Sequence, residues 1–150
     1  MNESDISKPV EIFLVEDNQG DIDLIREVLE EGKLKNTLNV AVDGEEALNY
    51  LKKKGKYANA TRPDLVILDL NLPRKDGREV LDDMKSSPDL KSIPVVIMTT
   101  SREEEDVIKM YNLHANCYIT KPIDFLQFIK VVRSIEDFWF TIVRLPSKTA

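Results

Sequence analysis

A chain of 150 residues is long enough for one domain with one sizeable core. Its formal charge of −6 argues against a nucleic-acid partner held by bulk electrostatics. The single cysteine, Cys117, excludes an internal disulfide and with it the disulfide scaffold of a small secreted protein.

Residues 1–9 read as a flexible lead-in, and Met1 to Lys8, polar and acidic, lacks the basic start and apolar stretch of a signal peptide. Val10 to Val15 is a nearly continuous apolar run, the mark of a strand buried on both faces. Asp21 to Glu31 carries Ile22, Ile25, Val28 and Leu29 at helical spacing, with Gly32 as a stop. Leu38 to Val42 reads as a second strand, and Glu45 to Lys54 as a helix that turns Ala47, Leu48 and Leu51 inward. Lys52 to Thr61 is long for a loop, and its basic run suits a solvated helix end. Leu65 to Leu70 is a third strand, Arg78 to Lys85 a helix with Val80, Leu81 and Met84 on one face, and Ile93 to Met98 a fourth strand. Glu103 to Leu113 is a fourth helix, and His114 behind it reads as a helix-end histidine. Ala115 to Ile119 is a fifth strand, in which Cys117 is a buried inert thiol. A long final helix starts at Phe125 after Asp124, a suitable cap.

Five βα units with continuous apolar strands predict an α/β domain with a parallel sheet covered on both faces. In such sheets the site lies beyond the carboxyl ends of the strands, where strand order reverses. Three carboxylates fall there: Glu16 and Asp17 after the first strand and Asp69 at the end of the third. Lys121 follows the fifth strand, next to Pro122. Crowded acids repel unless a cation joins them, and oxygen-only ligands suit Mg²⁺. Read alone, Asp17 also fits the role of a cap for the following helix.

Glu16-Asp17-Asn18, LVILDLNLPRKDG around Asp69, VVIMTTS with Thr99 and YITKP with Lys121, in that order, resemble the receiver domain of two-component response regulators. The resemblance covers roughly residues 10 to 135. It implies the flavodoxin-like (βα)5 fold with strand order 2-1-3-4-5, here over residues 10–136, and a phosphoryl group accepted on Asp69 from a histidine kinase. It implies Mg²⁺ held by Glu16, Asp17, Asp69 and the backbone carbonyl of Asn71. Lys121 becomes the charge partner of the phosphoryl group, in front of a cis bond to Pro122. Thr99 and Tyr118 become the switch pair, and the output face becomes the fourth helix, fifth strand and last helix. Asn71 and Thr100 should border the phosphoryl group and tune its lifetime.

The final helix carries Phe125, Phe128, Ile129, Val132, Ile135 and Trp139 on a face expected to pack on the sheet. A second stripe, Val131, Phe138, Ile142 and Leu145, has no obvious place in a monomer. Residues 137–150 are therefore expected to extend this helix and to support a homodimer. With the long Lys52 to Thr61 loop, this ending resembles stand-alone regulators paired with phytochrome histidine kinases. The protein is expected to be cytoplasmic, without a membrane partner and without an enzyme's turnover beyond self-catalysed phosphotransfer and autodephosphorylation. Two other classes remain open. One is a Mg²⁺-dependent phosphohydrolase using Asp69 as nucleophile, disfavoured because Asn71 replaces its usual acid/base aspartate. The other is a receiver-like interaction module without phosphotransfer.

Overall fold

The central strands are apolar on both faces because each face meets its own helices. The computed structural model describes residues 9–33, 35–100 and 117–138, apart from the side chains of Cys117, Ile135 and Phe138. Strands β1 (Val10–Val15), β2 (Asn36–Ala41), β3 (Leu65–Asp69), β4 (Val95–Thr99) and β5 (Cys117–Thr120) form one parallel sheet in the order β2-β1-β3-β4-β5. The described helices are α1 (Gln19–Glu31), α2 (Gly44–Leu51), α3 (Gly77–Ser86) and α4 (Phe125–Phe138). Val10, Ile12 and Leu14 point to the side of α1 and α4, where Ile25, Phe128 and Val132 meet them. Phe13 and Val15 point to the other side, against Ala47, Leu51, Val80, Leu81 and Met84. The same two-residue alternation runs through β3 and β4, so a slip of one residue would exchange the two cores.

The order of strands places the reversal between β1 and β3, which are neighbours in the sheet but not in the chain. Glu16 and Asp17 leave β1 there, and Asp69 ends β3 beside them.

Several sequence expectations shift in register. Asn18, not Asp17, caps α1: its side chain accepts the Asp21 N–H at 2.9 Å. That satisfies one open donor of the first turn and leaves Asp17 without a capping role. Helix α2 stops at Leu51 rather than Lys54. The Lys53 N–H reaches the Tyr50 carbonyl and the Lys54 N–H the Asn49 carbonyl, and Lys53 is left-handed at φ 55°. This pair of closing bonds is the Schellman arrangement, built here on lysine instead of glycine. The following loop is ordered by aromatic contact. Tyr50 stacks on Phe13 at 4.1 Å, and Tyr57 meets Tyr50 edge-on at 5.4 Å. The Tyr57 hydroxyl donates to Glu46 Oε1 at 2.8 Å.

Asp124 caps α4 as expected, accepting the N–H groups of Leu126 and Gln127. Phe125, expected on the core face, is instead 40% exposed, and Leu126 is 69% exposed. Phe128 and Val132 supply the buried contact, and Val131 of the expected second stripe packs partly against the same core. The expected helix Glu103–Leu113, His114, and Trp139, Ile142 and Leu145 lie outside the described residues. Among those described, no helix is long and apolar enough to cross a membrane.

Gly77 ties the fold to its upper edge. A Cβ there would overlap the Asp69 carbonyl oxygen and the Leu70 Cα, so α3 can start this close to β3 only on glycine. Gly77→Ala is expected to lower unfolding free energy by about 1–3 kcal/mol, the usual range for overpacking. A urea unfolding midpoint equal to that of the unaltered chain would refute the close approach.

Candidate functional site

Three strand ends and one helix turn converge on the Lys121 ammonium. Its Nζ donates to Asp69 Oδ2 at 2.9 Å and makes ion contacts with Glu16 Oε1 at 2.6 Å and Asp21 Oδ2 at 3.1 Å. Glu16 and Asp69 are sealed from water at 0% and 1% exposure, whereas Asp17 is exposed. Backbone pairing holds the frame: the Glu16 N–H reaches the Ala41 carbonyl, Leu70 that of Met98, and Lys121 that of Thr99. The Lys121-Pro122 bond is cis.

Both oxygens of Asp69 have donors, since Asp69 Oδ1 accepts the Asn71 N–H at 2.9 Å. Glu16 Oε2 likewise accepts the Asn18 N–H at 3.1 Å. Glu16 Oε1 is buried, and among the described residues it meets only the Lys121 ammonium, which it shares with Asp69 and Asp21. A buried, incompletely satisfied carboxylate oxygen calls for a further cation. Carboxylate oxygens of Glu16, Asp17 and Asp69 all lie within 4.8 Å of one another. The donor set is hard and all-oxygen, with one acid open to solvent, which fits Mg²⁺ or Mn²⁺ retaining some of its water. Asn71, whose carbonyl is the fourth expected ligand, sits in the same turn; its side-chain Nδ2 donates to Thr100 Oγ1 at 3.2 Å across the mouth of the site.

Burial pushes the Glu16 carboxyl up to about 7, against the lowering effect of Lys121 and of the Asn18 N–H. Burial alone would lower Lys121, but its bonds to Glu16 and Asp69 outweigh that, and its pKa is raised. The ammonium therefore stays charged throughout the working range.

Of the expected site residues, Glu16, Asp17 and Asp69 cluster, and Lys121 contacts Glu16 and Asp69. Thr99 is buried at the end of β4, one strand from Asp69. Tyr118 is half-buried on β5 opposite Ile97, packed against the α2–α3 side of the core. Asp21 was not among the expected site residues. Its signal in the sequence is an acid one helical turn beyond the Glu16-Asp17 pair, at the opening of the predicted helix Asp21 to Glu31.

A family model described as the response regulator receiver domain matches residues 12–133. The chain belongs to the receiver-domain family of response regulators, which are signalling proteins. It is 49% identical over 145 residues to response regulator Rcp1 of Synechocystis sp., covering 96% of this chain and 99% of Rcp1. The phosphorylated cyanobacterial phytochrome response regulator RcpA superposes with a TM-score of 0.78 at 51% identity, over 89% of this chain and 96% of RcpA. The Mn²⁺-bound form of Rcp1 gives 0.77 at 48% identity, over 89% and 96% of the two chains. The expected fold, strand order and family are thus borne out.

A raised Glu16 must lose its proton before it can serve as a ligand, so metal binding should release protons below pH about 7. Apparent Mg²⁺ affinity is expected to climb about tenfold per pH unit below that point and level off above it. In the metal-free protein the sign is reversed. A carboxyl raised on folding adds stability that is complete below its unfolded value of 4.5 and is lost as pH rises through about 7. Calorimetric Mg²⁺ titrations across this window test the first expectation, and a flat profile for the unaltered chain would contradict it.

Proposed function

We propose that this protein is a phosphoaccepting response regulator whose Asp69 takes a phosphoryl group from a histidine kinase of the phytochrome type. The observation that carries the reading is the charged Lys121 held 2.9 Å from a buried Asp69, beside two further acids suited to a divalent ion. The related RcpA is a phosphorylated phytochrome response regulator, and the related Rcp1 has been seen with Mn²⁺. Glu16, Asp17, Asp69 and the Asn71 carbonyl would hold Mg²⁺. When bound, the ion neutralises charge on the phosphoryl oxygens.

A carboxylate oxygen of Asp69 attacks phosphorus, the phosphorus–nitrogen bond of the phosphohistidine breaks, and the imidazole leaves with the electron pair. The product is an acyl phosphate. Lys121 meets charge on the transferring oxygens, and the rigid strand ends supply orientation. Water attack on phosphorus later breaks the bond to Asp69 and releases phosphate. The bond between Asn71 and Thr100 narrows the path for that water.

Thr99 and Tyr118 read the state of Asp69. The phosphoryl oxygens add acceptors beside Thr99, which favours one arrangement of the neighbouring loops. We place the receiver unit over residues 10–136 and assign residues 137–150, of which 139–150 lie outside the described residues, a role in binding a second copy. Exposed Phe125 and Leu126 at the start of α4 support an interaction role for this helix. A cytoplasmic location accords with a kinase partner that carries its phosphohistidine there. A phosphohydrolase reading fits less well, since Asn71 is an amide already bonded to Thr100.

Phosphotransfer from a phytochrome histidine kinase, with intact mass and light scattering followed together, tests the proposal. One phosphoryl group per chain, a dimer's mass, and no adduct on Asp69→Asn are expected. Thr100→Ala should shorten the adduct's half-life severalfold. Continuous release of phosphate from small phosphoesters, or an undiminished adduct on Asp69→Asn, would reject it.

A further inference from the structure

Lys121 has three N–H groups and, among the described residues, three carboxylates around them, so a new acceptor competes with one of these. The three differ in what they lose. Glu16 is sealed from water, and an ammonium that left it would strand a buried acid. Asp69 is the group that is modified. Asp21 stands apart on the first turn of α1, with its side chain 27% exposed. Released from Lys121, it regains water at little cost.

We propose that Asp21 is a positioning residue for Lys121, holding the ammonium in the resting site and giving it up to the phosphoryl group that arrives on Asp69. The inference rests on the phosphoacceptor reading of Asp69 and adds a competitor to it. A phosphoryl group brings close to two negative charges and three strong acceptor oxygens to the place where Asp21 already holds a proton of the ammonium. Asp21 and the phosphoryl group therefore oppose each other, and removing the carboxylate should favour the phosphorylated state.

Asp21 also suits the positive end of α1, and that effect alone would make it a purely structural acid. Asp23 separates the two roles. It lies on the same helix, is exposed, and accepts from Gln19 Nε2 at 2.8 Å rather than touching Lys121. Asp21→Asn and Asp23→Asn thus remove the same charge from the same helix, with and without the contact.

The test has two readouts. The first is binding of beryllium trifluoride, a phosphoryl mimic that caps an aspartate, at saturating Mg²⁺. The second is the Lys121 side-chain nitrogen resonance in the ligand-free protein. Asp21→Asn is expected to bind the mimic at least fivefold more tightly and to shift the resonance. Asp23→Asn is expected to do neither. Asp21→Ala should repeat the result of Asp21→Asn and covers a failure of that variant to fold. Equal or weaker binding by the Asp21 variants, or an equal gain in Asp23→Asn, would overturn the inference while leaving the phosphoacceptor reading standing. An unaltered chain that binds no mimic at all would overturn both.

Discussion

The contact between the Lys121 ammonium and the buried carboxylates of Glu16 and Asp69 is the constraint around which the upper edge of the sheet is built. Burying an isolated carboxylate is penalised by several kcal/mol even after the protein relaxes. Here two such groups lie at the ends of β1 and β3, and a single cation from the end of β5 faces both. One positive charge cannot balance them and their neighbours Asp17 and Asp21. The residual negative charge, together with the incompletely bonded oxygen of Glu16, makes the site a receptor for a divalent ion. The same excess leaves Lys121 divided among several acids.

The rest of the fold keeps this edge in place. Strand pairing fixes the separation of the acids from the lysine, and the two cores prevent the strands from sliding. Gly77 lets α3 approach the Asp69 carbonyl, and the Asn18 cap lets α1 begin at once after Asp17. Exposure rises from Glu16 and Asp69 outward to Asp17 and Asp21. The floor of the site is therefore rigid and dry, while its rim can exchange partners with solvent.

Much of this was legible in the amino-acid order, because continuous apolar runs bounded by acids define both the strands and their carboxyl ends. Glu16, Asp17, Asp69 and Lys121 could be placed at one edge from that pattern alone. The alternation of period could not reveal finer choices. Helix α2 ends three residues early because Lys53 adopts a left-handed turn that lysine seldom favours, and no glycine marks it. Phe125 is exposed at the first position of the helix, one residue past the Asp124 cap, while Phe128 and Val132 take the core. Asp21 carries no distinguishing mark in the sequence, because an acid in a helix's first turn is common and only the three-dimensional position of Lys121 sets it apart.

The phosphoryl group is proposed to sit on Asp69 itself. Borohydride reduces an acyl phosphate of aspartate to homoserine, and peptide sequencing by mass spectrometry then locates the converted residue. After phosphotransfer, homoserine is expected at position 69 and at no other aspartate. Homoserine at Asp17 or Asp21, or a phosphorylated chain that yields none, would contradict it.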